Sequence, residues 1–208
     1  HRVLMIGHVL RFWPEYEALA DFVKSARYGR VLSATFTRSC GLPDWSAWLQ
    51  VEERSGGAVV DLLIHDIDQA LALFGIPERV SAKKLGDNDA LTATLIYPDG
   101  PEVRVQGGWF PAGTPLSMGF QVRAERAELH FGPDGLSLNS SGSISNPSGE
   151  RKQPEEIYRK ELAYFLECCE TGASPARCPP EESATALKLA LLMKESRAKE
   201  GERIKCSV

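Results

Sequence analysis

From Ala58 to Gly75 the sequence contains no Lys, Arg or Glu. Leu62, Leu63, Ile64, Ile67, Ala70, Leu71, Leu73 and Phe74 supply apolar positions all round a helix, with Gly56-Gly57 before it and Gly75-Ile76-Pro77 after it. A surface helix carries long charged side chains on its wet face. This one has none, so any fold must cover it on most sides. Its polar residues are therefore exceptional. At 100° per residue, Asp61, His65 and Asp68 fall within about 60° of one another, on a stripe expected to line a cavity. Asp66 points about 140° from Asp61 and reads as structural, paired with a basic side chain from another element.

The rest of the chain puts helices at the ends and strands in the middle. Residues 2–10 read as a strand, and Trp13-Pro14 opens a helix that Gly29 closes, with Pro in a permitted first-turn position. Residues 31–38 alternate as a strand, followed by a loop bearing Trp45 and Trp48. Residues 80–85, 91–97, 103–109, 118–124 and 127–131 read as further strands, with a turn at Pro98-Asp99-Gly100. Residues 139–150, rich in Ser, Gly, Asn and Pro, read as a flexible excursion. Helices over about 154–171 and 180–200 and a short strand near 203–207 close the chain. This order predicts one α+β domain over residues 1–208, with an open, predominantly antiparallel sheet and helices packed on one face. In strand 91–97 both phases carry apolar residues, Ala90 and Ile96 opposing Leu91, Ala93 and Leu95. The second sheet face is therefore expected to meet another subunit, as a homo-dimer or tetramer.

Bulk properties exclude several classes. A net charge of −4 without a basic cluster argues against nucleic acid. The longest apolar run is broken by Asp61, His65, Asp66 and Asp68, which excludes a membrane-spanning helix there, and no signal peptide is visible. Five cysteines with no Cys-x-x-Cys spacing fit a reducing cytoplasm.

An ordered set of motifs carries a family resemblance across essentially the whole chain. It comprises Gly7-His8-Val-Leu-Arg11-Phe-Trp-Pro14, Gly29-Arg-Val31, Gly56-Gly57…Asp61-x-x-x-His65-Asp-Ile-Asp68, Phe74-Gly-Ile-Pro77, and Pro180-Glu-Glu-Ser-Ala-Thr-Ala-Leu187. Together these resemble the C-terminal half of the Gfo/Idh/MocA oxidoreductases. The resemblance implies a glyceraldehyde-3-phosphate dehydrogenase-like C-terminal domain that binds substrate and oligomerises. It further implies an NAD(P)-dependent activity on a sugar, polyol or related carbohydrate. The family's Gly-rich Rossmann fingerprint and its Glu-Lys-Pro motif with a catalytic lysine are not in these 208 residues. NAD or NADP is thus expected in the full-length protein and no cofactor with this chain alone, which by itself should be inactive.

On that resemblance His65 is the acid–base residue and Asp61 its orienting partner. Imidazole suits a proton that must leave or join a substrate hydroxyl near neutral pH. Asp68, Arg11 and Trp45 are candidate substrate contacts, and His8 is a candidate cofactor contact. Alternation along a strand would put His8 and Arg11 on opposite faces. Two other readings stay open. Asp61, His65 and Asp68, with His8 as a fourth donor, could hold a divalent metal. Alternatively, the domain is a non-catalytic ligand-binding or oligomerisation module.

Overall fold

Alternating strands that cannot bury both faces gather here into a single open sheet. The computed structural model describes residues 2–146 and 153–207, and among them the sheet has nine strands. These are β1 (Val31–Gly41), β2 (Arg79–Lys84), β3 (Asp89–Ile96), β4 (Glu102–Phe110), β5 (Ser117–Ala124), β6 (Ala127–Gly132), β7 (Gly135–Ser140), β8 (Ser143–Ser145) and β9 (Ile204–Lys205). Their spatial order is β8-β7-β6-β5-β1-β4-β3-β2-β9. Only β1 and β4 run parallel; the other pairings are antiparallel. The helices are α1 (Pro14–Lys24), α2 (Glu52–Ser55), α3 (Ala58–Asp61), α4 (Ile64–Phe74), α5 (Pro154–Thr171) and α6 (Pro180–Ala198), with a 3-10 turn at Val9–Phe12. The sheet is predominantly antiparallel, as expected.

The inward phase of the strands builds the core under the helices. Ala34 and Phe36 of β1, Leu91, Ala93 and Leu95 of β3, Val103 and Val105 of β4, and Phe120 and Val122 of β5 pack with Leu63 and Ile67, and with Leu189 and Met193 of α6. Tyr16 of α1 closes this layer edge-on against Phe120, ring centroids 5.2 Å apart. The outward phase is mostly short and polar: Thr35 and Thr37 on β1, Thr92 and Thr94 on β3, and Gln106 on β4, registered in adjacent rows. Ala90 is fully buried, and Ile96 is left as a half-buried apolar residue in this otherwise polar phase.

Three elements depart from the expected assignment. Residues 2–8 form no strand; the chain enters extended and turns into the 3-10 segment. Alternating apolar residues there have no neighbouring strand to pair with, and Leu4 and Ile6 stay exposed. Residues 135–140 and 143–145, the latter inside the supposed excursion, form a hairpin on the sheet edge, while residues 147–150 lie outside the described residues. The third departure is the central helix, which is two pieces. The Leu63 amide joins the Leu62 amide on the Ala58 carbonyl, both at 2.9 Å. That wide turn inserts a residue into the helical count, a π-type irregularity of the kind found near functional sites.

The start of α3 explains why the Gly56-Gly57 pair stands there. Both glycines have positive φ, and a Cβ on Gly57 would lie 2.7 Å from Asp89 Oδ2. That carboxylate accepts the Ala58 amide at 2.7 Å and pairs with Arg197 of α6 at 2.6 Å. One half-buried acid thus caps the helix and ties it to the sheet and to α6.

Candidate functional site

The break at Leu62–Leu63 decides which polar residues meet. Asp61, upstream of it, is rotated away from the stripe and exposed, while Asp66 and Asp68, downstream, are fully buried. The orienting contact expected between Asp61 and His65 does not form. His65 Nδ1 is buried with no hydrogen-bond partner, and the groups that face the ring electrostatically are Arg38 and His8. Asp61 lies instead near Cys40, and partial burial raises its carboxyl pKa above the usual range. The 100° projection fails because it presumes an unbroken helix.

Around His65 two ion pairs flank α4. Arg38, in the inward phase of β1, clasps Asp66 through both carboxylate oxygens, Nε to Oδ2 at 2.6 Å and NH2 to Oδ1 at 3.3 Å. Its guanidinium also reaches Tyr16 Oη at 3.5 Å and Met118 Sδ at 3.3 Å. The expected basic partner of Asp66 is therefore Arg38. The second pair is Arg11 with Asp68, Nε to Oδ2 at 2.8 Å and NH2 to Oδ1 at 2.6 Å. Arg11 also donates NH1 to the Arg177 carbonyl and meets Glu182 of α6, each at 2.6 Å. Asp68 and Arg11 thus hold each other in a two-pronged ion pair.

His8 and Arg11 both face Asp68, contrary to the opposite-face expectation. In a 3-10 turn residues three apart eclipse, whereas a strand would have separated them. His8 is 4 % exposed, with Nε2 3.7 Å from Asp68 Oδ1. Trp45 is 75 % exposed and Trp48 is also exposed. The structure therefore brings His65, His8, Asp68 and Arg11 together and leaves Asp61 and Trp45 apart.

Electrostatics give His65 one clear state. Burial, then Arg38, then His8 push its pKa from the ordinary 6.5 to about 4. His8 is lowered in the same direction, with burial the main cause. The ring is a neutral imidazole across the physiological range, with one ring nitrogen open to accept a proton. The unfolded chain binds more protons than the folded one between about pH 4 and 6.5, so stability is full above 6.5 and is lost as pH falls toward 4. Urea unfolding at pH 5 should therefore give a free energy about 2 kcal/mol below that at pH 7 from His65, with His8 adding to it. His65→Gln should shrink the difference.

Two cavities open beside α4, away from His65. One of about 620 Å³ is lined by Arg11, Tyr16, Gln69, Leu73, Arg177 and Glu182, and another of about 290 Å³ by Arg11, Leu71, Ala72, Ile76 and Glu182. Neither is lined by His65. The metal reading also loses its donor set. No group of three or more His, Cys, Asp or Glu converges among the described residues, and both Asp68 oxygens already serve Arg11. Arg38 was the residue missed from sequence, although an arginine in phase with Ala34 and Phe36 was its visible sign.

This arrangement can be set beside known proteins. Residues 16–130, more than half of the chain, match the GFO/IDH/MocA C-terminal domain model. The chain is 27 % identical over 200 residues to D-xylose 1-dehydrogenase (NADP(+)) 2 of Haloferax volcanii, covering 89 % of this chain and 59 % of that protein. D-glucoside 3-dehydrogenase of Escherichia coli is 31 % identical over 78 residues, 36 % of this chain and 22 % of that protein. Among solved structures, levoglucosan dehydrogenase in complex with NADH and levoglucosan superposes with a TM-score of 0.82 at 17 % identity, over 99 % of this chain and 66 % of that one. Aldose-aldose oxidoreductase from Caulobacter crescentus, complexed with glycerol, gives a TM-score of 0.82 at 19 % identity, over 98 % and 64 %. The chain thus spans about three fifths of the relative it matches along most of its own length. With its helix-covered open sheet and a family match through the helix that bears His65, the chain belongs to the GFO/IDH/MocA family.

Proposed function

We propose that this chain is the substrate-binding and catalytic domain of an NAD(P)-dependent oxidoreductase acting on a sugar, polyol or related carbohydrate, with His65 as the group that takes the substrate's hydroxyl proton. The observation that carries the reading is an imidazole kept neutral beside a buried guanidinium, on a helix otherwise stripped of free polar groups. Relatives named as xylose and glucoside dehydrogenases support the substrate class. When bound, an oxidised nicotinamide supplies the hydride acceptor. The chain's own residues do not fit the dinucleotide's phosphates. Its longer helices begin with Glu15 and Glu17, Asp66, Glu155 and Glu156, or Glu181 and Glu182 in their first turns, where an anion would need free amides and positive potential. The dinucleotide is accordingly assigned to a Rossmann domain outside these residues, and Asp61, exposed at the edge of the site, to positioning the substrate.

The reading includes a homo-oligomer through the uncovered sheet face, whose short Thr and Gln side chains allow close approach of a second flat surface. It also includes a cytoplasmic location, which the five free thiols suit. No helix among the described residues is long and apolar enough to cross a membrane. The test is formation of reduced nicotinamide by the chain joined to its dinucleotide-binding domain, across a panel of aldoses, polyols and sugar acids with NAD and NADP. Turnover of at least one carbohydrate is expected. No turnover with any of them, despite measurable cofactor binding, would leave the non-catalytic reading in its place.

A further inference from the structure

The 620 Å³ cavity lies between α1 and α4, with the first turn of α6 at one end. Its size falls within the roughly 300–1,000 Å³ of small-molecule sites. Gln69, Ala72 and Leu73 face it from α4, and Glu17, Ala20 and Lys24 from α1. Each set is spaced three and four residues apart and so shares one helix face. Gln69 is the informative member. It is only 4 % exposed, yet its amide has no hydrogen-bond partner among the described residues. The side-chain atoms sealed from solvent without a partner belong to other residues, so the Gln69 amide reaches the cavity that it lines. Buried amides are normally paired, and for this one the partner has to come from the cavity.

The other polar groups of the lining are fixed and only partly used. The Arg177 guanidinium lies over the Phe12 ring, 4.1 Å from its centroid. Its NH2 group bonds Glu17 Oε1 at 2.8 Å and also the Arg11 carbonyl. Lys160 holds the same Glu17 oxygen at 2.6 Å, and Arg11 holds Glu182 Oε2 at 2.6 Å. Among the described residues this leaves Glu17 Oε2 and Glu182 Oε1 as acceptors, and Nε and NH1 of Arg177 as donors. Charge decides what such a lining takes. Arg11, Lys24 and Arg177 stand against Glu17, Asp21 and Glu182, three of each sign, so neither an anion nor a cation is favoured. A hydroxyl both donates and accepts, and can therefore serve a carboxylate oxygen, a guanidinium or either end of the Gln69 amide. Ala20, Ala72 and Leu73 supply apolar surface for the C–H face of the same molecule.

We propose that this cavity is a second ligand site, separate from the proposed catalytic one, which binds a neutral polyhydroxy compound such as a monosaccharide or a cyclitol. Gln69 anchors one hydroxyl from the floor, and Arg177 with Glu17 and Glu182 takes others at the rim. Neither His65 nor Asp61 lines the cavity, so the site stands independently of the dehydrogenase reading.

Amide NMR of the isotope-labelled 208-residue chain, titrated with D-xylose and with myo-inositol, tests the site. Either probe should move the Gln69 side-chain amide and the backbone amides of Ala72 and Leu73 along a saturable curve. The anion D-xylonate and the cation D-glucosamine should bind more weakly than the neutral probes. Gln69→Leu should weaken binding about tenfold, read on Ala72 and Leu73. Ala72→Leu, at an exposed position on the cavity wall, should abolish saturation while the urea midpoint stays that of the parent. His65→Ala should leave the curves unchanged. Shifts that cluster around His65 and vanish in His65→Ala would place the sugar at the proposed catalytic site and overturn this one. Tighter binding of either charged probe would overturn the neutral ligand class. No saturable shift with either neutral probe would leave the Gln69 amide to water alone and overturn the site. Loss of the dehydrogenase reading, judged by turnover in the full-length protein, would leave these curves as they are.

Discussion

Replacing His65 with alanine is expected to lower turnover of the carbohydrate substrate by about 10³-fold in the full-length enzyme, within the range that a positioned acid–base group contributes. Affinity for the nicotinamide cofactor should stay near that of the parent, because the proposed function assigns the dinucleotide to another domain. The steady-state rate and cofactor binding measured on one preparation check both halves of this statement. The size of the effect follows from the site's poverty. Asp61 has turned away, Asp68 is committed to Arg11, and Asp66 to Arg38. The nearest remaining imidazole, His8, is buried beneath the site at 4 % exposure. Turnover within a few-fold of the parent would place the proton handling on another residue.

The second large effect concerns the support under that imidazole. Arg38→Ala should destabilise the fold by about 3–5 kcal/mol, since it leaves the Asp66 carboxylate fully buried and unpaired. Desolvation already pushes Asp66 above the ordinary carboxylate range despite the pairing, so loss of the guanidinium should drive it to the neutral acid. Removing both charges together, as Arg38→Met with Asp66→Leu, should recover a large part of the loss, because well-packed apolar groups often replace a buried ion pair at little cost. Urea unfolding of the two single variants and the double variant measures the coupling. Additive losses would show that the pair does not act as a unit. The double variant has a further signature. With Arg38 gone, one of the influences that hold His65 low is removed, and its ring should titrate closer to the ordinary 6.5.

Much of the architecture was legible because its signals are local. Pro14, Pro154 and Pro180 each sit in a first helical turn, and period-two alternation marks β1 to β6 within three residues. Signals failed where a neighbour was needed. Residues 2–8 have the composition of a strand but no partner strand, and a strand without a ladder is extended chain. Residues 139–145 read as a flexible excursion because Ser, Gly and Asn dominate, yet they continue the hairpin that β7 starts on the β6 edge, where Leu136 and Leu138 are buried. The candidate site divides in the same way. Its residue types were visible in the motif, whereas the pairing of Arg11 with Asp68 joins positions 57 residues apart, and only the 3-10 turn makes His8 and Arg11 neighbours on one side.

By itself, the sequence determined that a helix without long charged side chains lies under a largely antiparallel sheet, and that an imidazole and three carboxylates lie on that helix. Hydrophobic periodicity and composition suffice for this, because burial is roughly proportional to apolar area and needs no precise neighbour. The tertiary structure alone decided which carboxylate serves which cation. That choice turns on one shared carbonyl at Ala58, which inserts a residue into the helix and rotates Asp61 away from His65. Hydrogen bonds and ion pairs act over about 3 Å and in fixed directions, so a single irregular turn redistributes them while the hydrophobic pattern scarcely changes. His65 is left facing Arg38 and His8, and its neutrality follows from those two neighbours and its burial.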